Sequence, residues 1–137
     1  MVLKIIAIMI LSYLIGALPV GWIIVKIFTG KDVREVGSGR VGGTNVMRAA
    51  GLPAGILTAA MDMSKGILAG LVAASLVPGN TWLKFIAVTL AVVGQIFSVF
   101  LIEKLPNGKW HLRGGAGGST TLGGTIALWP GSWVILL

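Results

Sequence analysis

"LKIIAIMILSYLIGALPVGWIIVKIF", Leu3–Phe28, is the stretch that decides the fold. Its apolar run from Ile5 to Phe28, wound as an α-helix, is about 36 Å long. That is enough to cross a hydrocarbon core of ~30 Å with some tilt. The run exceeds the roughly 7–15 apolar residues of a signal-peptide core, and no small-residue cleavage site precedes Lys26, so a retained helix is expected. Pro19 and Gly21 interrupt it. A membrane helix tolerates this where neighbours re-satisfy the freed backbone groups.

Three further apolar segments follow: Leu52–Val77 with Asp62 and Lys65 inside it, Trp82–Ile102, and Ser119–Leu137 with Pro130 inside it. The 137 residues are 55% hydrophobic and 11% charged, against about 25% charged in soluble domains. Mean hydropathy is +0.95. The expectation is an all-α, polytopic integral membrane protein. It has about four transmembrane segments in one membrane domain, 1–137. The chain stops in "SWVILL", inside an apolar run; either the fourth helix ends at the far interface or the chain is a shortened one. With no cysteine, disulfides, thiol nucleophiles and cysteine metal sites are excluded. One histidine and four acids make no multi-ligand metal site, so neither metal nor cofactor is expected.

The net charge of +7 raises nucleic acid as a partner. In a membrane chain, excess Lys and Arg instead marks cytoplasmic loops and attraction to lipid headgroups. Membrane lipids are therefore the expected partner, and nucleic acid is not. The 29–51 loop carries Lys31, Arg34, Arg40 and Arg48, with Lys26 just before it. The 103–118 loop carries Lys104, Lys109 and Arg113, while the Pro78–Thr81 turn is uncharged. Both basic loops are thus expected on the cytoplasmic side. Trp22, Trp82 and Trp110 fall near predicted segment ends, where aromatic belts form.

Both loops are rich in glycine. In "VGSGRVGGTN", Val36–Asn45, glycines let backbone N–H groups converge into a nest that binds phosphate or another oxyanion. Ser38, Thr44 and Asn45 add neutral donors, and Arg40 and Arg48 add charge with bidentate geometry. Thr44 or Asn45 could also cap a short helix through Arg48, turning its positive end to the anion. No G-K-S/T follows, which excludes a Walker loop, and no strand precedes, which excludes a dinucleotide fingerprint. The competing reading is a flexible connector. The second loop, "LRGGAGGSTTLGG", Leu112–Gly124, repeats the design with Arg113 and then Ser119, Thr120 and Thr121 entering a helix. Close helix packing would account for Gly123 and Gly124, but poorly for Arg113 and the Gly114–Gly118 run.

Asp62 and Lys65 form an i, i+3 pair inside the second segment, either a functional pair or a mutually neutralising one. Gly66 follows directly, and a weakened or broken helix is expected there. His111 stands without an acid near it in sequence. No Ser–His–Asp set or H-x4-D pair can be assembled, so no residue is assigned as nucleophile or base.

The block "SYLIGALPVGWIIVKIFTGKDVREVGSGRVGGTNVMRAAG", Ser12–Gly51, resembles the first block of the bacterial acyl-phosphate-dependent glycerol-3-phosphate acyltransferases, with its G-S-G-N-x-G-A-T-N-x-x-R loop. Arg40 replaces the family Asn, and Gly43 the Ala. "MDMSKG", Met61–Gly66, resembles the family's D-x-x-K-G. "VGQIFSVFLIEKLPNGKWHLRGGAGGST", Val93–Thr120, resembles G-H-x-x-P-V-F followed by K-G-G-K-G-V-A-T. There Gln95 stands for the family His, Ser98 for its Pro, and Ala116 for a lysine implicated in binding glycerol phosphate. A longer insert, Glu103–Leu112, precedes the second loop. Family members continue into a third motif with His and Asn, so the chain corresponds to a shortened member or the N-terminal part of a longer fold.

The resemblance implies a multi-pass protein of the bacterial cytoplasmic membrane acting in phospholipid biosynthesis. It implies transfer of a fatty acyl group from acyl phosphate to the 1-hydroxyl of glycerol 3-phosphate, giving lysophosphatidic acid. The substrate- and phosphate-binding candidates are Gly37, Ser38, Gly39, Arg40, Thr44, Asn45, Arg48, Lys65, Arg113, Gly114, Gly115 and Gly117. The missing lysine and third motif keep two alternatives in play: a non-catalytic relative that binds phospholipid precursors, and an organic-anion transporter subunit.

Overall fold

The computed structural model describes residues 1–131. Six α-helices run in the order α1 Val2–Ala17, α2 Val20–Thr29, α3 Gly43–Ala50, α4 Leu52–Leu76, α5 Thr81–Ile96 and α6 Gly118–Leu128. Between α5 and α6 lies an antiparallel hairpin, β1 Ile102–Lys104 and β2 Trp110–Leu112. All-α is therefore right for the bundle and incomplete for the loop between α5 and α6. The Glu103–Leu112 insert folds back on itself, with Ile102 opposite Leu112 and Lys104 opposite Trp110.

Three spans among the described residues are long and apolar enough to cross a membrane: Val2–Thr29, Leu52–Leu76 and Thr81–Leu101. The third expected segment turns out to be a helix only to Ile96, and a 3-10 turn, Val99–Leu101, completes the span. The fourth, Ser119–Leu137, is seen as α6 to Leu128; residues 132–137 lie outside the described residues.

Burial is distributed as a bilayer requires. Large apolar side chains such as Ile6, Ile10, Ile23, Ile27, Leu68, Leu71 and Phe85 point outward. Small and polar residues, among them Ser12, Thr58, Ala69, Ala73, Ala87, Ala91 and Thr120, fill the interior. Lipid tails are as apolar as leucine, so helices associate through close contact rather than hydrophobic expulsion. Gly66 meets the backbone of Thr120 and Gly124, where a side chain would collide. The expectation of a break at Gly66 is corrected accordingly: α4 runs unbroken through it, and the glycine is used for packing.

The first span does break, at Leu18–Pro19. Proline has no N–H and its ring crowds the preceding turn. The carbonyls at the break find donors: Ser98 Oγ donates to Ala17 O at 2.5 Å, and Lys65 Nζ and Val20 N donate to Leu18 O at 2.6 and 2.9 Å. Beneath the first loop, Val33, Val41 and Val46 join Val20, Val25 and Leu101 in one buried cluster. Burying each such side chain is worth roughly 1.5–3 kcal/mol where it would otherwise face water. The cluster pins the first loop to the bundle.

Candidate anion site between two glycine-rich loops

The first loop is an organised structure rather than a flexible connector. α2 ends at Gly30, whose φ of 70° favours glycine, and Asp32 then opens a 3-10 turn, Val33–Glu35. Asp32 accepts from Arg34 N at 2.9 Å, from Arg34 Nη2 at 2.6 Å and from Trp22 Nε1 at 3.2 Å. The Arg34 hydrogen bonds hold its carboxyl well below the usual carboxylate range. Trp22 is therefore tied to the loop itself.

Asn45 organises the rest. Its Nδ2 donates to Val33 O (3.1 Å), Val36 O (2.8 Å) and Arg40 O (2.9 Å), three acceptors sharing two hydrogens. Its Oδ1 accepts from Ser38 N at 3.1 Å. The capping expectation is corrected: Gly42 caps α3 with no side-chain hydrogen bond, while Thr44 and Asn45 lie within the helix.

The second loop is bonded to the first. Val41 N donates to Gly114 O at 3.3 Å, and Gly115 N donates to Gln95 O at 2.8 Å. Arg113 pairs with Glu103 at 2.6 Å and donates to Arg34 O at 3.3 Å. His111 stands opposite Glu103 across the hairpin, but that carboxylate is engaged by Arg113. Gly117, at φ 80°, turns the chain into α6.

Two cavities flank this junction. The first, about 540 Å³, is lined by the N-terminal turns of α3 (Gly43, Thr44) and α6 (Gly118, Ser119), by Arg40 and Arg48, and by Asp62 and Gln95. Helix N-termini carry free N–H groups and partial positive charge. With two guanidiniums they make a site for a phosphate-sized anion. The second cavity, about 530 Å³, adds Arg113 and His111 to an apolar wall of Ile96, Phe97 and Leu112. Ser38, Arg40 and Ala116 line both.

Of the sequence candidates, Ser38, Arg40, Thr44, Asn45, Arg48 and Gly117 line the first cavity. Gly39, Arg113, Gly114 and Gly115 line the second. Gly37 and Lys65 line neither. Gly37 lies beneath the Arg48 side chain and against Asn45 Oδ1. Lys65 is buried behind the wall, its ammonium on Asp62 (2.8 Å), Gln95 Oε1 (2.6 Å) and Leu18 O. The sequence candidates omitted Asp62 and Gln95. The signal for Asp62 was an ionisable residue inside an apolar span; for Gln95 it was a polar residue in the third apolar segment, at the place of a His in the resembling block.

A mostly apolar helical bundle with two basic, glycine-built loops closing over a cavity that holds two arginines defines an integral membrane protein. The family profile for glycerol-3-phosphate acyltransferase matches residues 6–137, and the chain belongs to that family. It is 37% identical over 142 residues to glycerol-3-phosphate acyltransferase 3 of Dehalococcoides mccartyi, covering 95% of this chain and 61% of that protein. It is 42% identical over 120 residues to the glycerol-3-phosphate acyltransferase of Rubrobacter xylanophilus, covering 88% of this chain and 55% of that protein. The fold is similar to the crystal structure of PlsY, an integral membrane glycerol 3-phosphate acyltransferase. For the glycerol 3-phosphate form, TM-score is 0.81 and identity 32%, covering 96% of this chain and 60% of that one. For the lysophosphatidic acid form, TM-score is 0.78 and identity 29% over the same shares. This is a multi-pass membrane protein, and the chain spans about three fifths of the length of these relatives.

Proposed function

We propose that the chain carries the substrate-binding loops of an acyltransferase that moves a fatty acyl group from acyl phosphate to the 1-hydroxyl of glycerol 3-phosphate. The observation that supports it most is the double cavity. The first chamber sets Arg40 and Arg48 beside hydroxyl, amide and carboxylate side chains, suited to glycerol 3-phosphate, and the second sets Arg40 and Arg113 beside Ile96, Phe97 and Leu112, suited to the head and first carbons of acyl phosphate. The glycerol oxygen bonds to the acyl carbon, the bond from that carbon to phosphate oxygen breaks, and the hydroxyl proton leaves with inorganic phosphate. The other product is lysophosphatidic acid.

Acyl phosphate is already activated, so positioning and charge stabilisation supply much of the rate. Arg48, Ser38 and Thr44 are assigned to the first chamber's phosphate, on a loop whose shape Asn45 holds. Arg113, Gly114 and Gly115 are assigned to the second, and Arg40 stands between them. The chain is read as four spans with both basic loops on the cytoplasmic face of a bacterial membrane.

Phosphate release from acyl phosphate, dependent on glycerol 3-phosphate and measured in liposomes, tests the reaction. Uptake of glycerol 3-phosphate into the same liposomes without phosphate release would replace it with the transporter reading. Cysteine introduced at Gly30 and at Asn107 tests the orientation; labelling of either by an impermeant thiol reagent in intact cells would reverse it.

A further inference from the structure

The first cavity has a chemically different floor. Ala59 on α4 lies against Gly43 at the start of α3, and Asp62 is the next lining residue along the same helix face, about one turn (~5.4 Å) deeper. Asp62 is 3% exposed and Gln95 4%. Both are lining residues, whereas Lys65 is behind them.

Lys65 fixes what each presents. Its ammonium holds Asp62 Oδ1 at 2.8 Å and Gln95 Oε1 at 2.6 Å. An ammonium has donors only, so the amide oxygen of Gln95 must be the atom facing it. The Gln95 Nε2 donor is thereby turned toward Gly115, on the loop wall. The carboxylate of Asp62, one oxygen committed to Lys65, has acceptor capacity left for a ligand. The floor offers a charged acceptor beside an amide donor, whereas Arg40 and Arg48 supply the cationic side chains of the same cavity.

We infer that Asp62 and Gln95 are the hydroxyl-recognition pair of this site: Asp62 accepts, and Gln95 donates to, a free hydroxyl of a ligand whose phosphate is held by Arg40 and Arg48. An alcohol hydroxyl is one donor with spare lone pairs, and matches such a pair. A second carboxylate or phosphate on the ligand would be repelled by Asp62. The pair selects a short polyol monophosphate over an alkyl phosphate and over a diacid. This rests on the proposal that glycerol 3-phosphate is the acceptor substrate, and goes beyond it in assigning the group that reads its alcohol end.

Binding to the purified full chain in detergent separates the two. The probes are glycerol 3-phosphate, n-propyl phosphate and inorganic phosphate. Wild type is expected to favour glycerol 3-phosphate over propyl phosphate by about 10-fold or more, as for a hydrogen bond to a charged group. Asp62→Asn keeps the shape, but its single acceptor oxygen is claimed by Lys65. It is expected to cut that preference to about 3-fold or less and to leave propyl phosphate binding within about 2-fold. Gln95→Met should erode the same preference.

The comparison of ligands on wild type depends on no variant folding, and equal affinity for glycerol 3-phosphate and propyl phosphate overturns the inference. Wild type that binds inorganic phosphate but neither organic phosphate overturns the substrate reading and this inference with it. Intact preference in Asp62→Asn, or parallel loss of both organic ligands, overturns the role of Asp62 alone.

Discussion

Lys65 Nζ lies 2.6 Å from the carbonyl oxygen of Leu18, forty-seven positions earlier in the chain. The same ammonium completes its shell with Asp62 and Gln95, so one cation ties α4 and α5 to the break in the first span. Lys65→Met would leave a buried carboxylate without its partner and the Leu18 carbonyl with the Val20 N–H as its remaining donor. Removing one member of a buried pair costs about 3–5 kcal/mol. The expected outcome is a large drop in the thermal midpoint in detergent, with part of it recovered in Asp62→Leu/Lys65→Met. A midpoint unchanged in the single variant would show that the pair does not hold the break together.

That tie was only half legible beforehand. The apolar runs pointed to about four segments, of which three are spans among the described residues, and Pro19 and the basic loops pointed to the interruption and to loops on one side, because bilayer length and proline geometry act locally. The i, i+3 spacing paired Lys65 with Asp62, but nothing local linked it to Leu18 or Gln95, which come from other helices. The hairpin was missed because its strands are three residues each, too short for an alternating pattern to stand out. Asn45 was read as a ligand contact from its type; its place inside α3, bonding four points of the loop, depends on the folded path of residues 33–40.

Asn45→Asp should separate loop order from bundle stability. The carboxylate cannot donate to Val33, Val36 or Arg40, and its second oxygen would face their carbonyls. Leaving such groups unpaired costs roughly 1–3 kcal/mol, confined to the loop. Hydrogen exchange of residues 33–41 should rise, and phosphate-ligand binding should fall, while exchange in α4 and α5 stays protected. Unchanged exchange in the loop would refute the organising role.

Asp32 gives the loop a pH dependence. Its folded carboxyl titrates below the unfolded value of about 3.9. The contribution of the Arg34 contact is therefore complete above that pH and is lost progressively as pH falls below it. The pair is one-fifth to one-quarter exposed, so its worth is on the order of 1 kcal/mol. Trp22 fluorescence reports on the contact, since its Nε1 donates to Asp32. An acid-dependent change below about pH 4 is expected in wild type and absent in Asp32→Ala; the same acid profile in both would place the transition elsewhere.

Arg48 reaches the first cavity from α3. A charge-assisted hydrogen bond to phosphate is worth roughly 1.5–3 kcal/mol, so Arg48→Ala should weaken glycerol 3-phosphate binding about 10–150-fold. Arg48→Lys should recover only part, because the planar fork is lost. Titration calorimetry measures both. Wild-type affinity in a folded Arg48→Ala protein would remove this arginine from the site.

Arg40 and Ala116 each line both cavities. By resemblance, the position of Ala116 belongs to a lysine and that of Arg40 to a neutral asparagine. A shared phosphate would make this an exchange of a cation's position rather than a loss of charge. If both positions serve one phosphate, Arg40→Asn should weaken glycerol 3-phosphate binding at least about 10-fold, far more than an exposed side chain otherwise would. Ala116→Lys should restore most of the loss in that variant and add little to wild type, where Arg40 already neutralises the ligand. The double-mutant cycle isolates the shared term. Coupling well above about 0.5 kcal/mol is expected for residues meeting one ligand. Effects that add within that margin would mean that the two positions act on different phosphates, which would assign Arg40 to one chamber and leave the cation at Ala116 unreplaced.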